Sequence, residues 1–107
     1  MTKIVRRLVD GSGTLIVAVG GVHESVIAAR GEFDLANSAR IAEALTERLR
    51  AGARSVRLDL SEVTFIDATA ENAMIRAQTP YRARRAILTR SGQCEIVAPV
   101  LPLSGLD

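Results

Sequence analysis

The sequence contains very few of the residues on which several classes of protein depend. Its 107 residues include one cysteine, one histidine and no tryptophan, and aromatic residues make up only 3%. A single cysteine cannot form an intramolecular disulfide, and one cysteine with one histidine cannot supply the ligands of a structural zinc site. With so few aromatic rings, stacking on nucleic-acid bases is excluded as a main binding mode, and the core must be aliphatic.

Long apolar runs are also missing from this sequence. No segment approaches the roughly 20 apolar residues that a membrane-spanning helix needs, and the first ten residues do not have the pattern of a secretory signal. The net charge of +2 produces only a weak global field. We therefore expect a cytoplasmic protein with no membrane span, no metal, no cofactor and no direct contact with nucleic acid.

The residues that are present suit one aliphatic domain. Hydrophobic residues make up 48% of the chain and charged residues 24%, which are ordinary values for a globular protein. A length of 107 residues is that of one domain. We expect a single domain over residues 1–107 with its core in 13–107, and with residues 1–12 as an N-terminal edge strand or a flexible lead.

Three segments carry the patterns of β-strands. Residues 14–19 and 22–30 are rich in β-branched and apolar residues, and Gly20-Gly21 between them predicts a turn. Residues 55–60 alternate strictly between apolar and polar side chains. The first two strands should therefore pair as a hairpin, and the third should have one buried face.

The segment between the hairpin and the third strand has a helical period. Residues 36–51 are predicted to form a helix, with Asp34 as its N-cap and Gly52 just after its end. The apolar side chains that recur every three or four residues, and form the predicted apolar face, are Leu35, Ala39, Ala42, Leu45 and Leu49, with Ile41 beside them.

A second helical pattern follows the third strand and contains a proline. Ala70, Ala73, Met74 and Ala77 have helical spacing, and Pro80 interrupts it. The pattern allows one kinked helix, two helices that meet near Pro80, or a strand over residues 85–89. Residues 93–98 are predicted to form the last strand. The resulting order, β-β-α-β-α-β, requires a helix to cross over a sheet, so the class is α/β or α+β.

The junction between the third strand and the second helix has a pattern that can carry function. Asp67 and Thr69 follow the strand directly and begin the helix. Free backbone N–H groups and the positive end of the helix dipole favour an anion there, so a hydroxyl at this point could hold a phosphate beside a repelling carboxylate. From spacing alone, ordinary helix capping explains both residues, because Asp and Thr are common capping residues.

Three short motifs resemble those of STAS domains, the family of anti-sigma factor antagonists. Residues 29–35 (ARGEFDL) look like the family's Gly-Glu-Leu-Asp turn, and residues 58–67 (LDLSEVTFID) closely resemble its motif DLSGVTFID. The terminal residues 103–107 (LSGLD) resemble its closing LTGLD. The resemblance extends over residues 14–107.

The resemblance implies an α/β fold with a small mixed sheet of about four strands and helices packed on one face. It also implies a non-enzymatic regulator that works by partner switching. Such a protein binds an anti-sigma factor that is a serine/threonine protein kinase, and phosphorylation by that kinase separates the two. The family's phosphoacceptor corresponds to Thr69. The residues that the resemblance places at the partner surface are Asp34, Asp67, Ala68, Thr69, Ala70 and Asn72.

The sequence departs from the family motif at two positions, and alternatives stay open. Ala68 replaces the first serine of the family's Asp-Ser-Ser-Gly, and Ala70 replaces its glycine. One alternative is a STAS scaffold that is never phosphorylated, as a subunit of a signalling or lipid-transport complex. A small enzyme or nucleotide-binding protein is another, but we find no catalytic constellation in the sequence. A homodimer is also left open.

Arginines are concentrated in a segment that contains no acid. Between Glu71 and Glu95 there is no acidic residue, and the arginines of that segment are Arg76, Arg82, Arg84, Arg85 and Arg90. Arg76, Arg84 and Arg85 do not share one helical face, and a nucleic-acid-binding surface would require a continuous basic face. A solvated face or an acidic protein partner explains them better.

Overall fold

The protein is described from a computed structural model over residues 3–10, 13–20 and 23–92. These residues form five strands and three helices. In chain order they are β1 (Lys3–Asp10), β2 (Gly13–Val19), β3 (Glu24–Phe33), α1 (Ser38–Arg50), β4 (Ser55–Ile66), α2 (Ala68–Arg76), α3 (Gln78–Ala83) and β5 (Ile87–Ser91).

The strands form one mixed sheet in the order β1-β2-β3-β4-β5. β1, β2 and β3 pair antiparallel, and β3, β4 and β5 pair parallel. Helix α1 connects β3 to β4, and α2 with α3 connects β4 to β5, as parallel neighbours require. The predicted hairpin, the mixed sheet and the α/β class are confirmed. The N-terminal segment supplies an edge strand, which brings the described strands to five.

The three helices share a single core with one face of the sheet. Alternate residues are buried in β2, over residues 25–29 of β3 and over residues 56–60 of β4, as the period of two predicts. The largest side chains that are almost completely buried are Tyr81, Phe33, Leu15, Ile27, Ile41, Leu45, Leu58 and Ile66. All but two of these are aliphatic, in agreement with the composition.

The start of α1 differs from the prediction. Its N-cap is Asn37, not Asp34. Asp34 lies in a turn before the helix, where its backbone oxygen accepts from Ser38 N–H at 2.8 Å. Because the helix starts after this turn, its buried face is also shifted, and Leu35 is 76% exposed instead of buried. The buried residues of α1 are Ser38, Ile41, Ala44, Leu45 and Leu49.

The second helical segment is two helices, one of the arrangements that the pattern allowed. The break is at Ala77, which caps both helices, and Pro80 lies in the first turn of α3. A proline is tolerated there because its missing N–H would have no partner inside the helix. The strand alternative is also confirmed in part, because β5 (Ile87–Ser91) begins two residues after the start of the predicted strand over 85–89. The predicted strand over residues 93–98 lies outside the described residues.

Gly52 follows α1 as predicted, with a φ of +100° that suits glycine. No helix within the described ranges is long and apolar enough to cross a membrane.

Candidate functional site

The candidate site lies where the parallel strands β3 and β4 end side by side. Phe33 is paired with Ile66, the last residue of β4. The next residue, Asp67, donates its N–H to the Phe33 carbonyl at 3.1 Å. The loop that leads into α1 and the junction that leads into α2 therefore meet at one end of the sheet. This is the edge at which α/β sheets most often bind their ligands.

The first turn of α2 is held by Asp67. This residue has extended backbone geometry, and its Oδ1 accepts a hydrogen bond from Ala70 N–H at 3.0 Å. Its carbonyl accepts from Glu71 N–H at 3.0 Å. These bonds are those of an N-cap residue. The capping interpretation of Asp67 is thus confirmed.

Thr69 is the second residue of α2, next to the positive end of the helix dipole. Its side chain is half-buried. Within the described part of the chain, its hydroxyl makes no hydrogen bond. A hydroxyl that is neither bonded nor fully buried can accept a phosphoryl group.

The loop between β3 and α1 is built around a buried asparagine. Asn37 is 4% exposed. Its Oδ1 accepts from Asp34 N–H at 2.9 Å, and its Nδ2 donates to the Glu32 carbonyl at 3.0 Å. The Asp34 carboxylate in turn accepts from Ala36 N–H at 2.9 Å. These bonds hold Asp34 in one position and leave Leu35, between them, projecting outward.

Close packing against β2 also positions this loop. A Cβ atom on Gly13 would lie 2.7 Å from Phe33 Cε1 and 2.8 Å from Asn37 Nδ2. No real Cβ atom tolerates such distances. The absence of a side chain at Gly13 therefore allows the Phe33 ring and the Asn37 amide to pack against the backbone of β2.

The structure brings most of the predicted surface residues to this one end. Asp34, Asp67, Ala68 and Thr69 are all half-buried and belong to the two converging segments. Asn72 is exposed in the next turn of α2.

Ala70 is the exception and corrects the prediction. It is 0% exposed and belongs to the core. It lies on the face of α2 that packs against the sheet, with Ala73 and Met74. Its methyl group therefore cannot contact a partner.

Two exposed apolar side chains belong to the same end and were not predicted from the sequence. Among the described residues, the large hydrophobic side chains that remain exposed are Leu35 at 76%, Phe65 at 38% and Ile87 at 59%. Leu35 lies in the loop before α1, and Phe65 is paired with Glu32 near the end of β4. We call the surface formed by Asp34, Leu35, Phe65, Asp67 and Thr69 the acidic end surface.

Two arginines of the neighbouring strands β3 and β5 have acidic partners. Arg90 Nη1 of β5 lies 2.9 Å from Glu71 Oε2, and the Glu71 side chain is only 13% exposed. Arg30 Nε lies 3.1 Å from Glu62 Oε1. Neither Asp34 nor Asp67 forms an ion pair with a residue that the structure describes, so the surface carries two uncompensated carboxylates. Across the described ranges, no group of three or more His, Cys, Asp or Glu side chains could hold a metal ion.

Comparisons with known proteins agree with this architecture. The family model described as "Mlab, STAS domain" matches residues 17–107. The match extends over most of the sequence, so the chain belongs to the STAS domain family. A search of the curated proteins gives no match.

Solved structures with the same fold include anti-sigma factor antagonists. The crystal structure of one from Mycobacterium paratuberculosis has a TM-score of 0.65 and 16% identity, covering 84% of this chain and 88% of that one. The STAS domain antagonist from Rhodobacter sphaeroides has a TM-score of 0.60 and 15% identity, covering 82% and 87%.

A third structure is the Bacillus cell-fate determinant SpoIIAA in its phosphorylated form. It has a TM-score of 0.60 and 12% identity, and the match covers 69% of this chain and 68% of that one. At these identities the three structures establish the fold alone.

Proposed function

We propose that this protein is an anti-sigma factor antagonist that binds an anti-sigma factor through its acidic end surface and is released by phosphorylation of Thr69. The observation that carries the proposal is the placement of Thr69. Its hydroxyl makes no hydrogen bond to a described residue and is half-buried at the start of α2, beside Asp67 and within the same surface as the exposed Leu35. In this proposal the protein is a non-catalytic regulator of transcription in the cytoplasm.

The surface has the composition of a small protein interface. An exposed leucine can fill an apolar pocket on a partner, and the surrounding charges set orientation and partner choice. Asp34 and Asp67 supply two carboxylates that form no ion pair within the described part of the chain. The matching surface on the anti-sigma factor is therefore apolar at its centre and basic at its rim.

Phosphorylation would change the charge of this surface at one atom. The Thr69 oxygen attacks the γ-phosphorus of the ATP that the kinase holds, and the bond to the leaving ADP breaks. The hydroxyl proton passes to a base of the kinase. The product adds about −1.5 to −2 charge to a surface that is already acidic. A partner surface that had fitted a neutral hydroxyl would then face a desolvated dianion, which favours separation.

The local structure sets two opposing effects on the phosphorylated form. The positive end of α2 stabilises an anion at Thr69. The Asp67 carboxylate repels it, and it already occupies the Ala70 N–H that a phosphate could otherwise bind. Because of these two effects, phosphorylated Thr69 can form, but its phosphate is not fully compensated within the protein. The remaining negative charge therefore acts on the bound partner.

The test compares four immobilised proteins in a native lysate: wild type, Thr69→Ala, Thr69→Asp and Thr79→Asp. Thr79 is exposed on α3 and provides the same charge change away from the surface. Mass spectrometry identifies what each retains. We expect wild type, Thr69→Ala and Thr79→Asp to retain an anti-sigma factor with a kinase domain, and Thr69→Asp to lose it. The purified kinase with ATP should add one phosphoryl group to wild type and none to Thr69→Ala.

The second candidate is a STAS scaffold subunit of a signalling or lipid-transport complex that is never phosphorylated. The hydrogen bond from Ala70 N–H to Asp67 favours it, because this N–H already has an acceptor without a phosphate on Thr69. In that case, Thr69→Asp and wild type retain the same transport or assembly subunits, and no kinase is found. That result would overturn the switching proposal.

A further inference from the structure

The end of the sheet opposite to the acidic end surface carries an open groove of about 290 Å³. It lies between the C-terminus of α1 and the turn from α3 into β5. Its lining includes Leu49, Gly52, Arg54, Arg84, Arg85 and Ala86. We call it the arginine groove.

The three arginines of this groove are exposed and without acidic partners. Arg54, Arg84 and Arg85 form no ion pair with any described residue, and no acidic side chain lines the groove. Arg84 Nη1 makes one long hydrogen bond, of 3.5 Å, to the Leu49 carbonyl at the end of α1. The groove therefore concentrates uncompensated positive charge in a chain whose net charge is only +2.

The backbone that carries these arginines is firmly held. Arg54 donates its N–H to the His23 carbonyl at 2.7 Å, and its own carbonyl accepts from Ile87 N–H at 2.8 Å. Ala86 donates to the Tyr81 carbonyl at 2.9 Å, and Arg85 donates to the Arg82 carbonyl at 3.0 Å. The groove is a preformed feature of the fold, which lowers the entropic cost of binding.

Arg85 occupies a backbone conformation that favours glycine. Its φ of +57° is the only positive value among the described residues other than glycine. It ends α3 with the two hydrogen bonds of a Schellman motif, in the position that Gly52 occupies at the end of α1. An arginine at a strained backbone position points to a role for its side chain.

We propose that the arginine groove binds an acidic segment of a partner protein, with carboxylates that pair with the guanidinium groups of Arg54, Arg84 and Arg85. Guanidinium and carboxylate groups form bidentate, charge-assisted hydrogen bonds. The proposal is independent of the function proposed above. The two surfaces lie at opposite ends of β4, so both could be occupied together.

The shape of the groove favours a peptide segment over other polyanions. A concave site of this volume accommodates a few side chains, whereas a lipid surface would require the charges to project from a flat or convex face. A nucleic acid would require a longer basic face, and the one aromatic side chain in α3, Tyr81, is buried and cannot stack on a base.

The test is a titration of the full nitrogen-15-labelled chain with a hexaglutamate peptide, followed by NMR. We expect shifts confined to residues 49–54 and 84–87. Affinity should fall about tenfold in Arg54→Gln and in Arg85→Gln, the loss typical of one charge-assisted contact. The matched control is Arg82→Gln, which removes the same charge from an exposed position outside the groove lining and should bind as wild type does.

Arg85→Gly separates binding from folding. Glycine relieves the backbone strain, so the midpoint of thermal unfolding should stay unchanged or rise by about 4–8 °C, while binding weakens as in Arg85→Gln. Equal losses in Arg82→Gln and the groove variants would overturn the proposal in favour of diffuse charge attraction. Tighter binding to phosphatidylserine vesicles or to duplex DNA at the same salt concentration would overturn the choice of an acidic peptide.

Discussion

The two ends of the sheet are held together in different ways. At the acidic end, side chains bond to the backbone: Asn37 holds the loop before α1, and Asp67 caps α2. At the basic end, main-chain hydrogen bonds end the helices at Gly52 and Arg85. Two longer side-chain contacts, from His23 to the Gly52 carbonyl at 3.2 Å and from Arg84 to the Leu49 carbonyl at 3.5 Å, add to them. The side chains of Arg54 and Arg85 make no hydrogen bond to a described residue, so these two arginines are not required for the shape of this end and are available for binding.

The charges of the two ends follow the direction of the helices. Helix α2 begins at the acidic end, where a carboxylate interacts favourably with the positive end of its dipole. Helices α1 and α3 end at the opposite side with arginines in their last turns, where positive charge is favourable. The separation of charge therefore costs the fold little, and it gives one small domain two chemically distinct surfaces.

The largest effect is expected from the loop of the acidic end. Asn37→Ala should lower the free energy of unfolding by about 3 kcal/mol, because it removes two hydrogen bonds to buried or half-buried backbone groups. Urea unfolding measures the change. Asn72→Ala, at an exposed asparagine of α2, is the matched control and should change the stability little. Equal effects of the two substitutions would contradict the clamping role of Asn37.

The second effect concerns the packing of α3 onto α1, near the basic end. Tyr81 is buried and donates its hydroxyl to the Leu45 carbonyl at 2.7 Å. Burial raises the pKa of Tyr81 to about 12, against a smaller opposite effect of Arg48. In the unfolded chain the hydroxyl of Tyr81 has the ordinary tyrosine pKa of about 10. The unfolded state therefore loses this proton first, and stability falls as the pH rises from about 10 to about 12.

This loss should amount to about 2–3 kcal/mol at the upper end of the range. Tyr81→Phe should remove that part of the pH dependence and lower the stability at pH 7 by about 1 kcal/mol, through the lost hydrogen bond. Denaturant unfolding of both proteins between pH 8 and pH 12 makes the comparison. An unchanged slope in Tyr81→Phe would assign the pH dependence to other groups.

A smaller effect is expected from the cap of α2. Asp67→Ala removes the bond from Ala70 N–H and should cost about 1 kcal/mol of stability. Asp67→Asn retains an oxygen at the cap without the charge, so it should lose much less. Thermal unfolding distinguishes the two. If both variants lose the same amount, the charge, and not the hydrogen bond, stabilises this end.

The smallest effect should have the opposite sign and lies at the basic end. Arg85→Gly should raise the free energy of unfolding by up to about 1 kcal/mol, because glycine adopts a positive φ without strain. Arg85→Ala keeps the strain and should give no such gain. A loss of stability in Arg85→Gly would mean that the arginine side chain itself stabilises the turn, and the two ends would then be more alike than the hydrogen bonds indicate.

Local pattern was sufficient for most of the fold. The alternation in residues 55–60 predicted one buried face of β4, and the Gly20-Gly21 turn predicted the pairing of β2 with β3. The glycine after α1 predicted its end. The STAS motifs indicated the family and directed attention to Thr69. Strand alternation, turns and helix ends depend on neighbours in the chain, so they can be recognised from the sequence.

Tertiary contacts decided what the local pattern could not. The start of α1 at Asn37 depends on a turn that packs against Gly13, more than twenty residues earlier in the chain. The local pattern does not show this contact, so it indicated Asp34 as the cap and Leu35 as a core residue. The inward position of Ala70 depends on how α2 lies on the sheet.

The same difference between local pattern and tertiary contacts separates the two ends of the molecule. From the sequence alone, Asp67 and Thr69 could be placed at the start of a helix, because a cap acts on residues within one turn. The arginine groove could not be found in this way, since Arg54 is thirty residues from Arg84 in the chain and reaches it only because β5 pairs with β4. The sequence determined the elements and the cap of α2 through local hydrogen bonding and hydrophobic period, whereas tertiary packing set the cap of α1. The packing of the sheet decided which charged side chains lie close to one another.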